Sequence, residues 1–66
     1  MHLKLLIYDE DLDEERFIPL NLDIEAIQGF YQSVDDDNII NLVSYGQIFS
    51  VKKTHPLMTK LNYELN

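Results

Sequence analysis

The carboxylates of "YDEDLDEERFIP", residues 8 to 19, are the side chains of this sequence whose type and spacing could do chemistry. Three of them, Asp9, Asp11 and Asp13, have the spacing of the first ligands of an EF-hand calcium loop. The rest of such a loop is missing, because its sixth position is Glu14 instead of glycine and its twelfth is a leucine instead of a bidentate glutamate. The flanking residues also read as strands and not as helices. The sequence therefore predicts no metal site.

Other catalytic arrangements are equally incomplete. Two carboxylates act as an acid and a base only where a pocket separates their pKa values, whereas carboxylates crowded in an exposed loop are simply solvated. His2 and His55 are far apart in sequence, and His55 beside Pro56 suits a local role at a helix start. The serines lack a nucleophile-elbow context, and the 2 glycines are too scattered for a phosphate loop. We predict that the protein is not an enzyme and uses no cofactor.

Charge is distributed unevenly along the chain. The formal net charge is −7, yet residues 5 to 51 contain a single cation, Arg16, among most of the carboxylates. Three lysines, Lys52, Lys53 and Lys60, follow in the last part of the chain. Because nucleic-acid binding depends on Lys and Arg neutralising phosphates, an acidic body of this kind disfavours direct binding of DNA or RNA.

Two interpretations of the acidic clusters remain open. Like charge beside an edge strand improves solubility and discourages sheet-to-sheet aggregation. Alternatively, the clusters form an electrostatic surface for a basic protein partner, since holding adjacent carboxylates together costs self-repulsion that Ser or Gly would avoid. Tyrosine and phenylalanine nearby would give short-range anchoring. The candidate partner-binding residues are Asp9, Glu10, Asp11, Asp13, Glu14, Glu15, Asp35, Asp36, Asp37, Tyr8, Phe30 and Tyr31.

Length and composition place the chain near the lower limit for independent folding. Its 66 residues form one domain, residues 1 to 66, and 45% of them are hydrophobic, enough for a core. There is no cysteine to staple so small a fold, so we expect a homodimer that buries further surface. The N-terminal aliphatic run is too short for a signal peptide or a membrane span, which favours a cytoplasmic protein without membrane contact.

The hydrophobic periodicity predicts strands for most of the chain. "HLKLLIY" alternates with period two, and "RFIPLNL" does the same after the acidic loop. Pro19 lacks the N–H of a central ladder, so the second strand should lie at a sheet edge or carry a bulge. Ile24 and Ile27 suggest one helical turn, whereas "IQGFYQSV" reads better as a strand. "DDDN" marks a turn, and a hairpin should follow about Tyr45 and Gly46.

The last segment changes period. Thr54 is suited to cap a helix with Pro56 in its first turn, and four apolar residues line one face. These are Leu57, Met58, Leu61 and Leu65. The whole pattern predicts an α+β fold, a small antiparallel β-meander of four to five strands with one C-terminal α-helix packed on it.

Two resemblances bear on function. "IPLNLDIEAI" and "INLVSYGQIFSVKKTHPLMTKL" resemble the strands, hairpin and short helix of small bacterial flagellar-regulator and LytTR-type β domains. That resemblance implies a regulatory domain working through self-assembly or protein contacts. In size and charge the chain also resembles the small acidic DNA-mimic inhibitors that bacteriophages make against host enzymes during host takeover. This second resemblance implies blockade of a basic groove in, for example, a sliding clamp, polymerase, nuclease or defence enzyme.

Our leading hypothesis from the sequence is a non-enzymatic acidic binding module. It would occupy a basic, nucleic-acid-binding surface of a protein partner, and its carboxylates would supply steering and salt-sensitive affinity. The alternative is a small regulatory β domain that acts through self-assembly or protein–protein contacts.

Overall fold

Five strands, one short 3₁₀ turn and one α-helix make up the computed structural model, which describes residues 2 to 65, with side chains to residue 62. In chain order the elements are β1 (His2–Asp9), β2 (Glu14–Asn21), the 3₁₀ turn Ile24–Ala26, β3 (Ile27–Gln32), β4 (Ile39–Ser44), β5 (Gln47–Lys52) and α1 (His55–Leu65). Each strand pairs antiparallel with its neighbours in a single five-stranded sheet. The predicted sheet with one C-terminal helix is thus confirmed.

The strand order is β2-β1-β5-β4-β3, so the predicted meander is wrong. A meander keeps neighbouring strands in chain order and would place β2 between β1 and β3. Pro19 has no N–H to donate to a central ladder, and β2 lies at the sheet edge, paired only with β1. The edge position predicted from Pro19 is confirmed, and it is incompatible with the meander.

The turn between β4 and β5 has the conformation that its sequence predicts. Tyr45 and Gly46 both have positive φ, at 53° and 73°, and Ser44 pairs with Gln47 across the turn. Positive φ at both central residues characterises the type I′ turn, whose twist matches that of the flanking strands. Gly46 adopts this φ without strain, whereas Tyr45 does so at some cost.

A bulge in β3 changes which residues point to the core. The pairing of β3 with β4 shifts register between Ile27 and Gly29. Without a bulge, Ile27 and Phe30 would point to opposite faces, because they are three residues apart. With it, Ile27 is buried and Phe30 packs half-buried against the same core.

The helix α1 completes that core from one side of the sheet. Leu57 and Leu61 are 3% and 0% exposed and pack in one cluster with Leu3, Leu42 and Val51 from three strands. The Thr54 hydroxyl accepts a hydrogen bond from the Leu57 amide at 3.3 Å, which confirms the predicted cap. Met58 is half-buried against the cluster, and the side chain of Leu65 lies outside the described residues.

A buried serine fixes the connection that crosses from β2 to β3. The hydroxyl of Ser44 is fully buried and donates to the carbonyl oxygen of Ala26 at 2.6 Å. This bond ties the 3₁₀ turn to β4 and satisfies a polar group that would otherwise be costly to bury.

Strand alternation leaves the second face of the sheet without a covering element among the described residues. We call it the open face. Its positions follow from the pairing registers, since directly opposed residues point the same way. They include Lys4, Leu6 and Tyr8 on β1, Glu15, Phe17 and Pro19 on β2, Ile48, Ser50 and Lys52 on β5, Ile39, Asn41 and Val43 on β4, and Gly29 and Tyr31 on β3. Of these, Ile39 is buried, at the end of the sheet where Lys52 lies.

Truncating the helix stripe should destabilise the whole domain. We expect Leu61→Ala to lower the free energy of unfolding by about 2–5 kcal/mol, because it leaves a cavity under a fully buried side chain. That is a large share of the roughly 5–15 kcal/mol that stabilises a typical domain. Urea denaturation would measure the loss, with the exposed neighbour Lys60→Ala as the control. Equal stability of the two variants would mean that α1 is a dispensable tail.

Candidate functional site

The acidic turn, residues 9 to 15, is the tip of the β1–β2 hairpin. Asp9 pairs with Glu14 across the hairpin, and the four residues between them form the connection. Asp13 adopts a positive φ of 52°, a conformation that aspartate tolerates better than most residues. Six carboxylates are thereby held on one short, exposed segment.

The Asp9 side chain shapes this turn. Its Oδ1 accepts hydrogen bonds from the backbone amides of Asp11 at 3.0 Å and Leu12 at 3.4 Å. Its Oδ2 lies 3.0 Å from Nε of Arg16. An aspartate that accepts from amides two and three residues ahead is a common way to fix a turn. Asp9 and Arg16 therefore serve the fold of the hairpin.

Tyr8 is tied to the same turn. Its hydroxyl donates a hydrogen bond to Oδ1 of Asp13, while more than half of its side chain stays exposed. Tyr8 lies on the open face beside Glu15, its partner in the register. The ring is thus held in place next to the carboxylates and remains accessible to a partner.

Four carboxylates of the acidic turn have no hydrogen-bond or ion-pair partner among the described side chains. They are Glu10, Asp11, Glu14 and Glu15, and all four residues are exposed. Glu14 and Glu15 point to opposite faces of the hairpin, since one pairs with Asp9 and the other with Tyr8. The turn therefore presents uncompensated negative charge in several directions from a backbone that Asp9 holds in shape.

The second acidic cluster, Asp35 to Asp37, lies in the connection from β3 to β4. Asp36 Oδ1 accepts from the Asn38 amide at 2.8 Å, so this carboxylate also serves its own turn. The Gln32 side-chain amide donates to the carbonyl oxygens of Asp36 at 3.0 Å and Ile39 at 2.9 Å. Lys53 Nζ donates to Oε1 of Gln32 at 3.0 Å, joining the loop to the end of β5.

The topology separates the two acidic clusters. Neighbouring strands are antiparallel, so each end of the sheet collects alternate strand starts and strand ends. The end of β1 lies at the same end of the sheet as the start of β5. The end of β3 lies at the opposite end, as does the end of β5. The acidic turn is attached to the β2 edge and the second cluster to the β3 edge. The clusters thus occupy opposite ends and opposite edges of the sheet.

The two other aromatic candidates also lie apart. Phe30 packs against the core on the helix-covered face, where it contributes to the fold. Tyr31 is exposed on the open face, near the β3–β4 loop and away from the acidic turn. Only Tyr8 accompanies the acidic turn among the three predicted anchors.

Sequence reasoning did not single out the open-face residues Phe17 and Ile48, which are both exposed. A signal for them exists in the sequence. Phe17 is followed by Ile18, and Ile48 is followed by Phe49. Successive side chains of a strand point to opposite faces, so only one residue of each pair can point to the core. Such adjacent pairs indicate a strand with apolar side chains on both faces.

Metal-binding clusters and membrane-spanning helices are both absent from the part of the chain that the structure describes. No cluster of three or more histidine, aspartate or glutamate side chains in residues 2 to 62 is arranged to hold a metal ion. No described helix has the length and hydrophobicity needed to cross a bilayer.

Comparison of the chain with protein-family models, with curated protein sequences and with solved structures finds no significant match.

Removing the turn-forming carboxylate should harm the fold, whereas removing its neighbour should not. We expect Asp9→Ala to lower the free energy of unfolding by about 1 kcal/mol, through loss of two hydrogen bonds that its carboxylate accepts from backbone amides and of a partly exposed ion pair. Asp11→Ala removes the same charge without a side-chain partner and should leave stability unchanged or slightly raised. Urea titration of both variants checks this, and equal effects would show that Asp9 does not organise the turn.

Proposed function

We propose that the protein is a non-enzymatic binding module that inserts its acidic turn into a basic, nucleic-acid-binding surface of a protein partner and so inhibits it by DNA mimicry. One observation carries the proposal. Four carboxylates without partners stand on a turn that a fifth, Asp9, holds in shape. Crowded like charge is unfavourable on its own and becomes favourable against a basic surface.

The chemistry of recognition would be that of phosphate binding. Arginine and lysine donate charge-assisted hydrogen bonds to carboxylates as they do to phosphates. A preorganised turn loses less conformational entropy on binding than a flexible acidic tail would. Tyr8, fixed beside Asp13 by its hydroxyl, would add an aromatic contact at short range.

The placement of the second cluster confines the proposed partner contacts to the end of the molecule that carries the acidic turn. Asp35 and Asp37 are exposed at the opposite end of the sheet and cannot enter the same narrow groove as the acidic turn. They would add long-range steering rather than contacts.

A second candidate function is a regulatory β domain that acts through self-assembly. The exposed hydrophobic side chains of the open face favour it, because sizeable apolar patches on small proteins commonly mark interaction surfaces.

Neutralising the acidic turn tests the mimicry proposal. The turn variant carries Glu10→Gln, Asp11→Asn, Glu14→Gln and Glu15→Gln, which spare Asp9 and Asp13. Immobilised wild-type protein should capture a DNA-binding protein from bacterial lysate that duplex DNA then elutes by competition. The turn variant should bind that protein more weakly, mainly through slower association, because charge complementarity governs encounter. Surface plasmon resonance with the purified partner measures both rates.

A charge-matched control separates the turn from net charge. It carries Asp23→Asn, Glu25→Gln, Asp35→Asn and Asp37→Asn, four exposed acids away from the turn, and should weaken binding less than the turn variant, because it loses only long-range steering. Wild-type affinity should fall steeply with salt, since the Debye length shrinks from about 30 Å at 0.01 M to about 8 Å at 0.15 M. Equal weakening by both variants would reduce the effect to overall charge. Unchanged binding with poorer solubility of the turn variant would leave solubility as the role of the acids.

A further inference from the structure

The open face carries an exposed set of hydrophobic side chains. Four large hydrophobic residues of the described strands are exposed, and all four lie on this face. Their exposed fractions are 57% for Tyr8, 41% for Phe17, 47% for Tyr31 and 59% for Ile48. Leu6 and Val43, half-buried, lie between them as the register partners of Phe17 and Ile48. This grouping is independent of the acidic turn and needs its own explanation.

The two ends of the open face have opposite charge. Lys4 and Lys52 lie next to each other at one end, because the register through Leu5 and Val51 aligns them on β1 and β5. Neither has an ion-pair partner among the described residues. Like charges on neighbouring strands are unfavourable. At the other end Glu15 lies beside Tyr8, and the rest of the acidic turn follows.

We propose that the open face is the interface of a homodimer, in which each copy places its lysine end over the acidic end of the other. A second copy of the chain fits this face, because the face has a positive end and a negative end. Each end of one copy can therefore lie over the opposite charge of the other. The apolar side chains around Leu6 and Phe17 lie between the two charged ends and would be buried on contact. This inference deepens the second candidate function, self-assembly, and does not rest on DNA mimicry, although the two share Tyr8 and Glu15.

Charge also selects the symmetry axis. A two-fold axis that lies between the sheets and runs along the strands would place lysines over lysines. An axis that runs across the strands reverses their direction, so that Lys4 meets the Tyr8–Glu15 end of the second copy. The row of Leu6 and Phe17, midway between these ends, then lies at the axis, where each residue approaches its own symmetry mate.

The size of the face predicts a reversible dimer. Five strands about 4.8 Å apart and about 18 Å long present roughly 400 Å² of flat sheet per copy. A standard stable interface uses about 20–30 residues from each partner, more than the positions of the open face, so this contact falls at the small end. With −7 on each copy, long-range repulsion opposes it at low salt, whereas local contacts persist at physiological salt.

A charge swap across the interface tests this arrangement. Sedimentation at about 0.15 M salt should show a wild-type dimer in the micromolar range. Lys4→Glu and Glu15→Lys should each weaken dimerisation about tenfold, and the double variant should recover it, because the pair is re-formed with reversed signs. Lys60→Glu, on the helix side, makes the same charge change as Lys4→Glu and should have no effect on dimerisation.

A cysteine on the axis gives a second readout that does not depend on charge. The chain has no cysteine of its own, so Phe17→Cys treated with a short bismaleimide should yield covalent dimers. Val34→Cys, on the fully exposed β3–β4 loop, should not.

Three results would overturn the proposal. They are a wild-type monomer at high micromolar concentration, equal cross-linking of the two cysteine variants, and single charge reversals that leave dimerisation unchanged. Weakening by both single variants without recovery in the double variant would overturn the two-fold arrangement. Thermal melts of each variant ensure that a lost dimer is not a lost fold.

Discussion

The pairing of β1 with β5 is the contact on which the rest of the structure depends. It joins the β1–β2 hairpin to the three-stranded unit β3–β4–β5, and without it neither part would be wide enough to bury the helix stripe. Leu5 and Val51 form the pair that fixes the register, and Val51 is fully buried at the centre of the core. The helix follows β5 directly, so the same pairing places Leu57 and Leu61 over the residues of β1.

The placement of charge follows from this arrangement. Because β2 is the edge strand and β1 is its only neighbour, the acidic turn projects from one corner, where its like charge meets little of the rest of the protein. The single register also determines that Lys4 and Lys52 become neighbours although they are far apart in sequence. The acidic turn and the polar open face are thus two outcomes of one pairing, and they meet at Tyr8 and Glu15.

Local features of this fold could be predicted from the sequence, and long-range ones could not. The Tyr45–Gly46 turn, the cap at Thr54 and the edge position of Pro19 each depend on a residue whose own geometry decides the outcome. The β1–β5 pairing has no local signature, because any two strands with alternating apolar residues are compatible with it. The bulge that turns Phe30 toward the core leaves no mark on the hydrophobic pattern. Within the acidic turn, composition could not distinguish Asp9, which shapes the turn, from Glu10, which does not.

The strand order also has a consequence for how the chain is made. β1 emerges during synthesis before β5, so it takes its place between β2 and β5 only when β5 has been added. Until then the β1–β2 hairpin has one edge without its partner, the kind of edge that recruits other chains. The carboxylates at its tip repel the identical hairpins of neighbouring nascent chains during that interval. Like charge at this tip thus bears on the unfinished chain as well as on the folded one.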